Sequence, residues 1–299
     1  MVALLAAGSF GIATVAAAQD HAHDLKRLGK VSFEVACTPV AQDGFNHAMA
    51  LYHSFAWPQA GPAFAAVAKA DPACGMAHWG HAMVLLDNPF VWPSNLSGEK
   101  LDAVAEAVKA AGAAGLATQR ERDYVAALET FVHDRNTLDH STRAQGLEAA
   151  LGQIATHYPE DTEARILHAL VISANFDPAD KAYTNQMRAG AILEPLFEAH
   201  PDHPGVAHYL IHTFDYPPLA AHGREAAQRY AGIAPDAPHA LHMPSHVFTR
   251  LGLWQESIVS NQASADADGG TSFYFQHAYD YMVYAHLQRA EDGAARAAM

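Results

Sequence analysis

Two short stretches carry the chemistry most legible in this chain: "HYLIH", His208 to His212, and "HMPSH", His242 to His246. In a helix, residues i and i+4 share one face, so each pair would aim two imidazoles in one direction. Four imidazoles brought together would repel one another if protonated, and would need partners if buried neutral. A transition metal relieves both problems, and imidazole suits Cu, Fe, Zn or Ni. Asp215 follows His212 by three residues and Asp280 follows His277 by three, each on its histidine's face. These carboxylates are candidate ligands, or groups that fix an imidazole tautomer from behind. Tyr209, Tyr281 and Tyr284 could bring hydroxyls to a redox or hydrolytic centre.

The elements that must position these residues repeat. His246 lies 34 residues beyond His212, and the offset extends past histidine. With "PDHPGVAHYLIHTF" (201–214) set above "PDAPHALHMPSHVF" (235–248), Pro201 falls on Pro235, Asp202 on Asp236 and Pro204 on Pro238. His208 falls on His242, His212 on His246 and Phe214 on Phe248. Such a period belongs to helix-turn-helix arrays, whose units are each too small to bury an apolar face alone. "AGPAFAAVAKADP" and "LEAALGQIATHYP" repeat the grammar more weakly, as apolar helical stretches running towards proline. Turn-rich insertions are expected at 85–100 and 175–183. No useful strand-like alternation is visible, and the expectation is an all-α solenoid.

On these motifs the chain resembles a divergent tetratricopeptide-repeat protein over roughly residues 40–290. "HPGVAHYLIHTFD", "APHALHMPSHVFTRLGLW" and "HAYDYMVYAHLQ" resemble more narrowly a His-rich, often exported bacterial subfamily. The resemblance implies a right-handed solenoid whose first helices line a concave groove, with their fifth, ninth and thirteenth positions meeting ligand. Counted from Pro204 and Pro238, His208 and His242 stand at the fifth position, His212 and His246 at the ninth. His53 stands at the thirteenth position of an earlier repeat, and His277 near the fifth of the last. Weaker repeats hold Trp79 and Met83, or Ile166 and Leu170, at the equivalent places, so the scaffold itself does not require histidine there. The expected metal set is therefore His208, His212, His242 and His246, with His53, His277, Asp215 and Asp280 as further ligands or supports. His203 and His239, in the turns entering the two helices, are expected to be supports, and His47 and His81 to be structural. Subfamily members are usually longer, so further C-terminal sequence is expected.

Pro244 admits two readings. It could kink a helix to aim both histidines at one centre, or it could begin a helix and leave His242 on the preceding turn.

Composition narrows the function. The 299 residues are 50% hydrophobic and 17% charged, enough for a sizeable core. Thirty-two acids against 18 Lys and Arg leave no basic stripe for phosphates, so nucleic acid is not an expected partner. Histidine numbers 20, more than Lys and Arg combined. The uncharged "MVALLAAGSFGIATVAAA" reads as a secretory signal over residues 1–18, with a core helix as the alternative. Residues 19–36 would be an extension and 37–299 one solenoid, with no membrane span in the mature chain. Cys37 and Cys74 would form a disulfide in a periplasmic or secreted protein, or remain two buried thiols. Ser245 beside His246 lacks a strand–elbow–helix context for hydrolase chemistry. The functional expectation is an exported protein binding one or two transition-metal ions, copper first and then iron or zinc. Its chemistry would be that of an oxidoreductase on a small molecule. The alternative is a non-enzymatic scaffold that holds a partner peptide in the groove.

Overall fold

The computed structural model describes residues 25–270 and 272–299, and the expected signal segment at 1–18 lies outside them. The described residues form helices and no strand, as expected. Successive pairs are α1 (Pro39–His53) with α2 (Trp57–Ala70), α3 (Gly75–Leu86) with α4 (Gly98–Ala114), and α5 (Gln119–Val132) with α6 (His140–His157). Next come α7 (Thr162–Ala174) with α8 (Thr184–Ala199) and α9 (Pro204–Phe214) with α10 (Arg224–Ile233). The chain continues through α11 (Pro238–His242), α12 (Pro244–Arg250), α13 (Trp254–Asp268), α14 (Phe273–Gln288) and α15 (Asp292–Ala297). Each helix packs on the next in sequence.

Local chemistry sets the boundaries. Proline opens α1, α9, α11 and α12, where its missing N–H costs nothing. Thr118 and Glu121 form a reciprocal capping box on α5, and the Asp161 side chain caps α7. Small residues let the helices approach closely. A Cβ added to Gly80 of α3 would lie 2.1 Å from the Phe64 ring of α2. The largest buried side chains, among them Phe33, Phe45, Phe64, Trp79 and Tyr124, form an edge-on aromatic cluster at the N-terminal end of the array.

The array is not a simple line. In an open solenoid each repeat touches only its neighbours, but α9 also packs on α1. The C-terminal end of α1 is thereby brought against the first histidine helix. An extended arm strengthens this closure. Val31, Phe33 and Val35 are buried while Ser32, Glu34 and Ala36 face out, an alternation too short to stand out in the sequence. The arm bonds from Lys30 N–H to Asp202 O, from Phe33 N–H to Asn46, and from Ala36 N–H to Glu121. Gly29 has φ of 78°, and a Cβ there would lie 2.4 Å from the Asp202 carbonyl, so only glycine fits. The Cys37–Cys74 disulfide ties the end of the arm to the start of α3. Closing a loop across 37 residues stabilises the fold by about 4 kcal/mol in the chain-entropy account.

The first expected insertion lies between α3 and α4 and contains a 3-10 turn, Pro89–Val91; the second joins α7 to α8. Pro244 satisfies both of its readings in part. A helix does begin there, yet Met243 before it keeps helical angles (φ −54°, ψ −34°). His242 and His246 therefore remain on one face, their ring centroids 4.9 Å apart. Hydroxyls of α13 satisfy carbonyls around the break: Ser260 donates to Leu241 O and Ser264 to Pro238 O. No helix of the described residues is long and apolar enough to cross a membrane.

Candidate metal centre

Helix α9 opens at Pro204 with the His203 side chain accepting from Val206 N–H, and its 3.6-residue period turns His208 and His212 to one side. Three histidines meet there: His208, His212 and His239. The Nε2 of His208 is 3.1 Å from that of His212 and 3.0 Å from that of His239, which reaches back from the first turn of α11. A second triad, His242, His246 and His277, forms where α11, α12 and α14 meet. In it the Nε2 atoms of His242 and His246 are 3.0 Å apart, and the His277 ring lies 4.7 Å from that of His242.

The outer nitrogens decide what the inner ones can do. His208 Nδ1 lies 2.6 Å from the His53 carbonyl oxygen, which only accepts, so Nδ1 carries the proton. His242 Nδ1 lies 2.6 Å from Asn261 Oδ1, and the Asn261 amide is oriented by donating to Ser257 O. His246 Nδ1 donates to Asp215 at 2.8 Å, and Arg250 holds the other oxygen of that carboxylate. With Nδ1 so engaged in all three, the Nε2 atom of each ring points inward, and in a neutral ring it presents a lone pair. With both rings neutral, the lone pairs of His242 and His246 face each other across 3.0 Å. A proton on either ring would relieve that contact, and so would a metal ion held by both. With metal–nitrogen bonds of about 2.0–2.1 Å, tetrahedral ligands stand roughly 3.3 Å apart, within a few tenths of these separations.

Protons are disfavoured at His208, His212, His239, His242 and His277. Burial, with the neighbouring histidine charges adding to it, lowers the pKa of His212, His239 and His242 well below the usual value. Burial holds His208 at about 3, despite its bond to the His53 carbonyl. His277, half-buried, is lowered in the same direction. Burial tends to raise Asp215, but its bonds to His246 and Arg250 outweigh this and lower it. The Nδ1 of His239 is buried without a hydrogen-bond partner.

A third group, His53, Glu163 and His203, gives a different result. His203 Nδ1 accepts from Val206 N–H, so its Nε2 donates to Glu163 at 2.8 Å. His53 Nε2 donates to the other Glu163 oxygen at 2.9 Å, and its Nδ1 accepts from the Tyr209 hydroxyl. Every polar atom is matched with neutral imidazoles and one carboxylate. Burial opposes that charge, but the two histidines hold Glu163 far below the usual range, and the first turn of α7 favours an anion. This network closes without an ion and serves to fix the His53 carbonyl behind His208.

The eight residues expected at the site therefore divide. His208, His212, His242, His246 and His277 all lie in the triads, but as two sets rather than one four-ligand cluster. His53 and Asp215 stand behind the rings as supports. Asp280 is exposed, lines a different cleft with Tyr279 and Val283, and acts on His277 only as a nearby charge. His239, expected as a support, instead turns its Nε2 towards those of the first triad. One signal in the sequence marks it: its register partner in the earlier repeat is Gly205, where a Cβ would lie 2.5 Å from His53 Nδ1. Glu163 and Asn261 carry no local signal. The first insertion also reaches the site, where Phe90 stacks on His212 at 4.0 Å. No protein-family model matches the chain, and no curated protein matches it.

Proposed function

We propose that the protein is an exported, tetratricopeptide-like metalloprotein that binds transition-metal ions through the two histidine triads. The observation that carries this reading is the set of acceptors behind His208, His242 and His246, which turn their Nε2 atoms inward and set those of His242 and His246 against each other. No carboxylate belongs to either triad. All-imidazole sites suit copper first, then zinc; iron in oxygen chemistry more often takes a carboxylate among its ligands. Three protein ligands leave a coordination position for a small molecule, so an oxidoreductase is the activity favoured. The disulfide is consistent with an oxidising compartment.

Metal analysis of protein purified without added metal tests the reading. Near-stoichiometric Cu, Zn or Fe is expected, and a His212→Ala/His246→Ala double variant should lose it while remaining helical by circular dichroism. A protein that is metal-free, takes up none on addition, and instead binds an extended peptide would be a scaffold.

A further inference from the structure

The two triads adjoin, and their surroundings bear on how they would work together. His239 of the first triad and His242 of the second have ring centroids 6.3 Å apart; for His212 and His246 the separation is 6.5 Å. Away from the second triad, the first is walled by aromatic rings. Phe55 sits 4.4 Å from His208, Tyr230 stacks on the same ring, and Phe90 covers His212. His208 is fully buried and His212 half-buried in the first triad; in the second both His246 and His277 are half-buried, and the Phe273 ring stacked on His277 is exposed. The second triad is thus the more open of the two and the first the inner one.

Charge points the same way. Two divalent ions held by six neutral imidazoles would bring four positive charges among largely buried side chains, where an uncompensated charge is costly. The nearest protein anion, Asp215, is already shared with Arg250. Glu163 stands behind the first triad, separated from His208 by His53. Neither triad supplies a carboxylate of its own. The compensating negative charge would then come from outside, between triads whose nearest rings stand 6.3–6.5 Å apart.

Resting on the metal-binding reading above, we infer that the six histidines form one dinuclear centre whose two ions share a small bridging anion of the hydroxide, azide or peroxide class. Each triad holds one ion, and the anion sits between them.

The test uses the full chain, stripped of metal and reloaded with copper(II), with sodium azide as the bridging probe. Copper per chain, the electron paramagnetic resonance (EPR) signal and azide stoichiometry are read together. Two coppers per chain, loss of most of the expected EPR intensity through coupling, and one azide per pair support the centre. A His277→Ala variant, altered at a half-exposed residue, should fall to one copper per chain and recover a full single-ion signal. Two fully EPR-visible coppers binding azide independently would overturn the pairing. So would one copper per chain in the unaltered protein, and either result leaves metal binding itself intact. No bound copper at all would overturn both readings.

Discussion

At the scale of single residues, the centre depends on atoms one bond beyond the proposed ligands. Asp215 shows this best. It accepts from His246 Nδ1 at 2.8 Å and from Arg250 at 2.9 Å, so it fixes one imidazole and adds negative charge beside the outer triad. Replacing it by Asn keeps the volume but removes the charge, and an amide can donate to Nδ1 and invert the tautomer. Loss of such a supporting carboxylate typically weakens metal affinity about 10–100-fold. Asp215→Asn is expected to lose affinity in that range, measured by competition with a chelator, with little change in helicity. An unaltered affinity would mean that Asp215 serves only the surface pair with Arg250.

At the scale of elements, α1 and α9 must meet at close range for the His53 carbonyl to reach His208. Gly205, in the first turn of α9, permits this. A Cβ there would come within 2.5 Å of His53 Nδ1, and that ring cannot retreat easily because Tyr209 and Glu163 hold both of its nitrogens. Gly205→Ala is therefore expected to destabilise the fold by about 1–3 kcal/mol, the usual cost of overpacking a tight interior. It should also weaken metal binding by shifting the carbonyl. Urea unfolding measures the first effect and chelator competition the second. An unchanged unfolding midpoint would show that α1 and α9 separate without cost.

At the scale of the whole molecule, burying neutral histidines makes stability depend on pH. His208 is held at about 3 in the fold against an ordinary histidine value of 6.5, and His53 is shifted in the same direction by burial. Above about 6.5 neither folded nor unfolded chain takes up the proton, and the folded state loses nothing. Below it the unfolded chain binds the proton and the fold does not, so stability falls steadily until the folded value is reached. For His208 alone the loss at pH 5 is about 2 kcal/mol. Thermal unfolding of the metal-free protein should move to lower temperature between pH 7 and pH 5. Bound metal should oppose the change until protons compete for the ligands. A midpoint independent of pH over this interval would contradict neutral burial.

The sequence by itself determined the helical class, the repeat and the two His-x-x-x-His faces, because these depend on local periodicity and on residues a few positions apart. It also supplied the pair Cys37 and Cys74, now joined. It could not distribute the histidines. Whether His208 and His242 meet one another or part into separate sets depends on how neighbouring repeats pack, and no spacing within a helix records that. The tertiary structure divided them into two triads, drawing His239 back from one turn to α9 and His277 across from α14. It also curled the array so that α1 touches α9, setting the Glu163 network behind His208. That closure joins residues more than a hundred positions apart, where only complementary packing and hydrogen bonding specify which side chains meet.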